Sequence, residues 1–177
     1  MTDSHGQELA GLLLAEGAYP EHAAELMTFG QFVGGWDMTV QFYDATGARV
    51  FDGVGEWQFG WVLDGRAIQD VLHYGEPSSS PRTAPDRQLG TTLRYLDPTS
   101  GTWTITWLGT TSGICIQLRG GDHGDGTLRL EGIDVDGSSI RWSFSDITQT
   151  SFTWSGETRR GSDPWRVEQA MTARRRS

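Results

Sequence analysis

A period of two runs through most of this chain. Trp36, Met38, Val40 and Phe42 alternate with Asp37, Thr39 and Gln41, the pattern of a half-buried strand. The same alternation returns at 51–63, 66–74, 90–96, 102–108, 114–119, 127–134, 139–146, 151–156 and 164–172. The breaks are turn chemistry: Asp44-Ala-Thr-Gly47, Asp64-Gly65, Asp97-Pro-Thr-Ser-Gly101, Asp134-Val-Asp-Gly137 and Gly161-Ser-Asp-Pro164. Aspartate bonds its own backbone and glycine supplies positive φ, so these segments read as hairpin connections. About ten strands in sequence order, with no crossover helices, most simply close into an antiparallel up-and-down β-barrel that has no edges. A sandwich of two sheets is the competing architecture.

The first thirty residues differ. Leucines at 9, 12 and 13 within Gln7–Glu16 predict a short amphipathic helix ending at Gly17. Pro20 suits the first turn of a second helix running through Leu26 to Phe29. The expectation is one domain over 1–177, with a helical cap over 1–30 and the barrel over 35–172. The stretch from Gly75 to Leu89, rich in proline and serine, is expected as a disordered surface loop or a lid.

Alternation also assigns the inner face. Trp103, Ile105 and Trp107 belong inside, as do Ile114, Ile116 and Leu118, then Ile140, Trp142 and Phe144, then Phe152 and Trp154, then Trp165 and Val167. Trp57, Phe59 and Trp61 join them. Eight tryptophans in 177 residues imply either a large aromatic core or an aromatic-lined cavity. A small barrel has room for one or the other. The candidate ligand-binding residues are Trp36, Trp57, Trp61, Trp107 and Trp142.

Polar residues on the inner face are candidates for chemistry. If Ile68 and Leu72 point inward, so do Arg66, Asp70 and Tyr74, and a buried arginine and aspartate are tolerable when paired. Glu56 would serve the same arginine if a bulge near Gly55 or Gly60 reverses its direction. Tyr95, on the parity of Leu93, would add a hydroxyl. Asp70, Glu56, Arg66 and Tyr95 are therefore the candidate catalytic or orienting set. The plainer alternative makes them an internal brace or places them at the rim in water.

The remaining features mostly exclude. A net charge of −9 repels a phosphate backbone, so no nucleic-acid partner is expected. The chain has no lysine for Schiff-base or phosphate-loop chemistry and no asparagine for glycosylation. Cys115 is the single cysteine, so no internal disulfide forms. No apolar run approaches membrane-spanning length and no signal-peptide layout opens the chain, so a cytoplasmic location without a membrane partner is expected. GGDHGDG, residues 120–126, lacks the spaced ligands of a calcium loop, and no metal is expected. Arg174, Arg175 and Arg176 read as a solvated tail.

Three segments resemble a known family: FGQFVGGW at 29–36, GEWQFGWVLDGRAIQDV at 55–71, and TLRYLDPTSGTWTITW at 92–107. Together they are similar to a bacterial family of calycin-like, lipocalin-like barrels without an assigned activity, over about residues 29–172. The resemblance implies an antiparallel barrel with a central pocket. Related barrels bind lipids, pigments or haem, and some lipocalin-like proteins act as cofactor-free cyclases. The haem-binding barrels use a histidine near the end of the chain, and no histidine follows His123 here. No cofactor is expected. The leading expectation is a module that binds a small apolar or aromatic molecule, its polar end oriented by Arg66, Asp70 and Tyr95. The alternative is a cofactor-independent cyclase or isomerase of a polyketide- or terpenoid-like substrate, with Asp70 or Glu56 as acid or base. A structural or dimerising barrel with a filled interior, a homodimer among its forms, is the third.

Overall fold

The structure is a computed structural model, and it describes residues 4–76 and 87–177. Ten strands follow one another around a closed barrel: β1 (Gly34–Tyr43), β2 (Arg49–Val62), β3 (Ala67–Gly75), β4 (Gln88–Asp97), β5 (Thr102–Gly109), β6 (Ile114–Asp122), β7 (Leu128–Ile133), β8 (Ser139–Ser145), β9 (Ser151–Arg159) and β10 (Arg166–Arg175). Each pairs antiparallel with its neighbours in sequence, and β1 closes on β10 through Trp36↔Arg175 to Phe42↔Gln169. This is the up-and-down barrel that the alternation predicted, and the sandwich is excluded. The expected lid or loop at 75–89 falls largely on 77–86, outside the described residues.

Two helices precede the barrel: α1 (Ser4–Leu13) and, after a 3-10 turn at Pro20–His22, α2 (Ala23–Gly30). Only α2 caps the barrel. Its Leu26 and Phe29 are buried in the core, whereas Leu9 and Leu12 of α1 are 64% and 74% exposed. Phe29 packs edge-on against Trp103 at 4.8 Å and Phe144 at 5.8 Å. Phe32 continues the plug, 4.8 Å from Phe152 and 5.0 Å from Phe144. The tilted and edge-on rings suit the aromatic quadrupole better than face-to-face stacks. Trp36 lies within this plug, and its buried indole N–H donates to the carbonyl of Phe32 at 2.7 Å.

The β2–β3 hairpin tip is fastened to the N-terminal lead-in. Leu63 N donates to Leu13 O at 2.9 Å, Ala15 N to Trp61 O at 3.0 Å, and Tyr19 N to Gly65 O at 3.0 Å. Leu63, Asp64 and Gly65 all carry positive φ, so the turn is longer than the two-residue loop read from Asp64-Gly65. Of the arginines read as a solvated tail, Arg174 is exposed on β10, but Arg175 and Arg176 are not solvated. Arg175 stacks over Trp36 at 4.2 Å and donates to the carbonyls of Gln31, Val33 and Gln149, and Arg176 bonds Glu56 at 2.5 Å.

Trp165 and Val167 are also corrected. Trp165 precedes β10 and lies between the guanidinium groups of Arg141 and Arg159, at 4.4 and 4.5 Å. The pairing of β10 with β9 skips a residue between Val167 and Gln169. That bulge reverses the parity of everything before it, so Val167 is 38% exposed while Met171 stays buried.

Candidate functional site

The plug fills the lower barrel, at the end where α2 sits. Toward the other end, near the β1–β2 connection, the end of β3 and the start of β4, a cavity of about 460 Å³ opens. The expectation of a filled core or a cavity thus resolves by depth. Its walls are largely apolar: Leu72, Trp107, Ile116, Ile140, Trp142 and Met171 are among the lining residues. Trp142 lies between two other indoles, 6.4 Å from Trp107 and 5.5 Å from Trp154, both edge-on. Gly90 makes one of these positions possible, because a Cβ there would run into the six-membered ring of Trp107. A glycine in a strand commonly marks such a close approach.

Phe42 and Tyr74 stand among the lining residues at the open end, ring centroids 5.9 Å apart. Burial pushes the Tyr74 phenol up to about 12, so it remains protonated at neutral pH. Gln88, Thr111 and Ser112 supply neutral polar groups nearby, and Asp134, Glu157 and Glu168 add carboxylates. Glu157 holds Arg141 in a two-pronged pair at 2.7 and 2.9 Å, which raises the arginine's pKa further.

Beneath the cavity lies a charge pair. In the β3–β4 ladder Asp70 stands opposite Thr92 and Ile68 opposite Arg94. Asp70 and Arg94 are therefore diagonal neighbours on the inner face, within reach of a long side chain. Arg94 Nη1 donates to Asp70 Oδ2, and both residues are only 1% exposed. The Arg94 guanidinium lies 5.2, 5.7 and 6.0 Å from the ring centroids of Phe59, Phe29 and Phe144, a cation–π setting that favours the charge.

The expected pairing of Arg66 with Asp70 is thus corrected. Arg66 belongs to the long turn rather than to β3, and its exposed guanidinium stacks on the Tyr19 ring at 3.4 Å. Tyr95 is corrected for the parity of β4, in which Thr92 and Arg94 face inward and Tyr95 is 44% exposed. Glu56 has no bulge beside it to turn it around, since β2 pairs with β3 in unbroken register from Val54 to Val62. It faces outward and meets Arg176 and His73. Asp70 is inward as expected, but it is not among the residues that line the cavity. Of the five candidate tryptophans, Trp57, Trp107 and Trp142 line the cavity. Trp36 is sunk in the plug, and Trp61 covers Gly30 of α2, whose added Cβ would meet its ring.

Sequence reasoning missed Arg94 and Trp154. Trp154 shared the inner face and needed only its neighbours to be placed in the cavity wall. Arg94 was hidden because Leu93 and Tyr95 are the more apolar pair in that strand. The one available signal was that Asp70, once placed inside, requires an inward cation. Among the described residues no group of three His, Cys, Asp or Glu side chains comes together to hold a metal, and no helix is long and apolar enough to cross a membrane.

No protein-family model and no curated protein matches the chain. Solved structures do. Rv2717c from M. tuberculosis superposes with a TM-score of 0.65 at 14% identity, covering 88% of this chain and 99% of that one. The S-type phycobiliprotein lyase CPES from Guillardia theta superposes with a TM-score of 0.59 at 12% identity, over 84% of this chain and 90% of that one. Both are lipocalin- or calycin-like barrels. At such identities the likeness establishes a calycin-like fold and nothing finer.

Proposed function

We propose that this protein binds a small, largely apolar or aromatic molecule in the upper half of its barrel. The observation that carries the reading is the division of the interior. The plug packs rings to full contact, whereas the indoles of Trp107, Trp142 and Trp154 border open volume. A cavity of about 460 Å³ lies within the range of roughly 300–1,000 Å³ typical of small-molecule sites. A merely structural barrel would gain by filling that space, since empty apolar volume forfeits contacts. The likeness in fold to the S-type phycobiliprotein lyase CPES supports the same reading of a small molecule held in a barrel.

The cyclase or isomerase alternative has weaker support. Its proposed acid or base, Asp70 or Glu56, is in one case ion-paired behind the cavity wall and in the other on the outer surface.

The test is a titration of purified protein with neutral two- and three-ring aromatic compounds, read by tryptophan fluorescence. Saturable change at one-to-one stoichiometry, lost when Trp142 is replaced by arginine to occupy the cavity, is the expected result. Absence of saturable binding across such a panel would remove the proposal.

A further inference from the structure

The chemistry at the inner end of the cavity narrows what it can take. Two buried donors there have no acceptor: Nε of Arg94 and the indole Nε1 of Trp57. Both side chains line the cavity. They also share a floor, because the Trp57 ring lies 4.9 Å from Phe59 and 5.9 Å from Phe144, the same rings that the Arg94 guanidinium packs upon. Unmet buried donors are rare in folded proteins and each calls for a partner. Asp70 Oδ1 is a buried acceptor without a partner as well, but Asp70 does not line the cavity, so the group missing on the cavity side of this floor is an acceptor.

The charge of that acceptor follows from Asp70. Arg94 is the only cationic residue among the described residues lining the cavity, and the carboxylate of Asp70 already compensates it. A carboxylate brought to this floor would leave an excess negative charge in a low-dielectric site, which is costly. The other charged lining residues are Asp134, Glu157 and Glu168; Arg141 and Arg166 stand beside the last two but are paired with them, so the approach holds no uncompensated positive charge to offset it. A neutral oxygen incurs neither cost.

Resting on the proposed small-molecule site, we infer that the ligand is an uncharged aromatic or polycyclic molecule whose leading end is a carbonyl-type oxygen. That oxygen accepts from Arg94 and Trp57 at the bottom of the cavity. Asp70 is a positioning residue: its Oδ2 accepts from Nη1 of Arg94, which leaves Nε for the ligand, and it sets the local charge to zero so that ligand anions are rejected.

Three probes of one size separate the possibilities: 2-acetylnaphthalene, its alkene isostere 2-isopropenylnaphthalene, and 2-naphthoate, each titrated by tryptophan fluorescence and by calorimetry. The ketone is expected to bind at least about tenfold tighter than the alkene, the worth of one hydrogen bond to a charged donor. It should also bind at least about tenfold tighter than the naphthoate. In Arg94→Met with Asp70→Leu, the ketone-to-alkene ratio should fall below about threefold. Trp57→Phe, a milder change that removes one donor, should lower the same ratio, and it serves if the double variant does not fold. Equal affinities for ketone and alkene, or tightest binding of the naphthoate, overturn this inference and leave the pocket standing. Failure of all three probes to bind removes the pocket and this inference with it.

Discussion

Asp70 and Arg94 are each almost withdrawn from solvent, and neither would be tolerated there alone. Removing one partner strands the other charge, so Asp70→Ala should cost about 3–5 kcal/mol in a denaturant melt. The pair Arg94→Met and Asp70→Leu should recover most of that loss, because packed apolar groups replace a buried ion pair well. Arg66→Ala, by contrast, removes only an exposed stack on Tyr19 and should cost no more than about 1 kcal/mol. If Arg66→Ala proved as damaging as Asp70→Ala, the assignment of the internal partner to Arg94 would be wrong. At this scale the sequence was half legible. Asp70 sat between Ile68 and Leu72 and its direction was plain, but Arg94 sat between Leu93 and Tyr95. Hydrophobic parity misleads wherever a buried charge is stabilised by a partner that lies far away in sequence.

At the level of elements, turns both connect the strands and hold the barrel's lower end together. Gly65 has φ +76°, and a Cβ on it would collide with the carbonyl oxygen of Gly17 and crowd Tyr19 N at 2.7 Å. Gly47 has a similar φ of +81° but open space around it. Gly47→Ala should cost about 1–2 kcal/mol, the left-handed penalty alone. Gly65→Ala should exceed it by more than about 1 kcal/mol, because the lead-in must also move. Equal costs in thermal melts would mean that the lead-in does not bear on the hairpin tip.

Other turns are built on aspartates that cap their own loops. Asp44, Asp97, Asp125 and Asp136 are all held below the usual carboxylate range, chiefly by hydroxyls of Thr46, Ser100, Thr127 and Ser138 respectively. Asp136 reaches about 2, with Arg160 adding a further bond. A carboxylate whose folded pKa is depressed contributes stability above its unfolded value of about 3.9. It loses that stability as pH falls through the folded value. Stability should therefore decline as pH drops below about 4 and continue to decline toward 2. Asp136→Asn should be less stable than the parent at neutral pH and converge with it at the acid end. A constant gap between the two across urea melts in that range would show that ionisation of Asp136 contributes nothing.

Across the whole molecule, the interior divides into a packed aromatic plug and an open aromatic chamber, with the ion pair between them. Binding in the chamber must stabilise the native state. A ligand at one hundred times its Kd adds about 2.7 kcal/mol. For a chain of this length that corresponds to a rise in Tm of roughly 5–11 °C. The same compound should leave the Tm unchanged in the Trp142→Arg variant. A ligand that raises both equally would be binding elsewhere, for example along the exposed leucines of α1.

The sequence by itself determined an antiparallel meander of about ten strands, with a closed barrel as its simplest arrangement and a sandwich as the competitor that only the structure excluded. A period of two, repeated about ten times and punctuated by aspartate and glycine, leaves few other ways to bury one face of each strand and pair every edge. It also determined which aromatics face inward wherever the ladder is regular, as for Trp57, Trp107, Trp142 and Trp154. Only the tertiary structure decided how deep each of them lies. Depth depends on strand stagger and on which end a helix plugs, and alternation carries neither, so Trp36 and Trp61 could not be told from Trp107 and Trp142. The bulge at Val167–Gln169, the long turn that ejects Arg66, and the diagonal meeting of Asp70 with Arg94 were decided there as well. Each arises from register between strands, and register is a relation between segments that no single segment encodes.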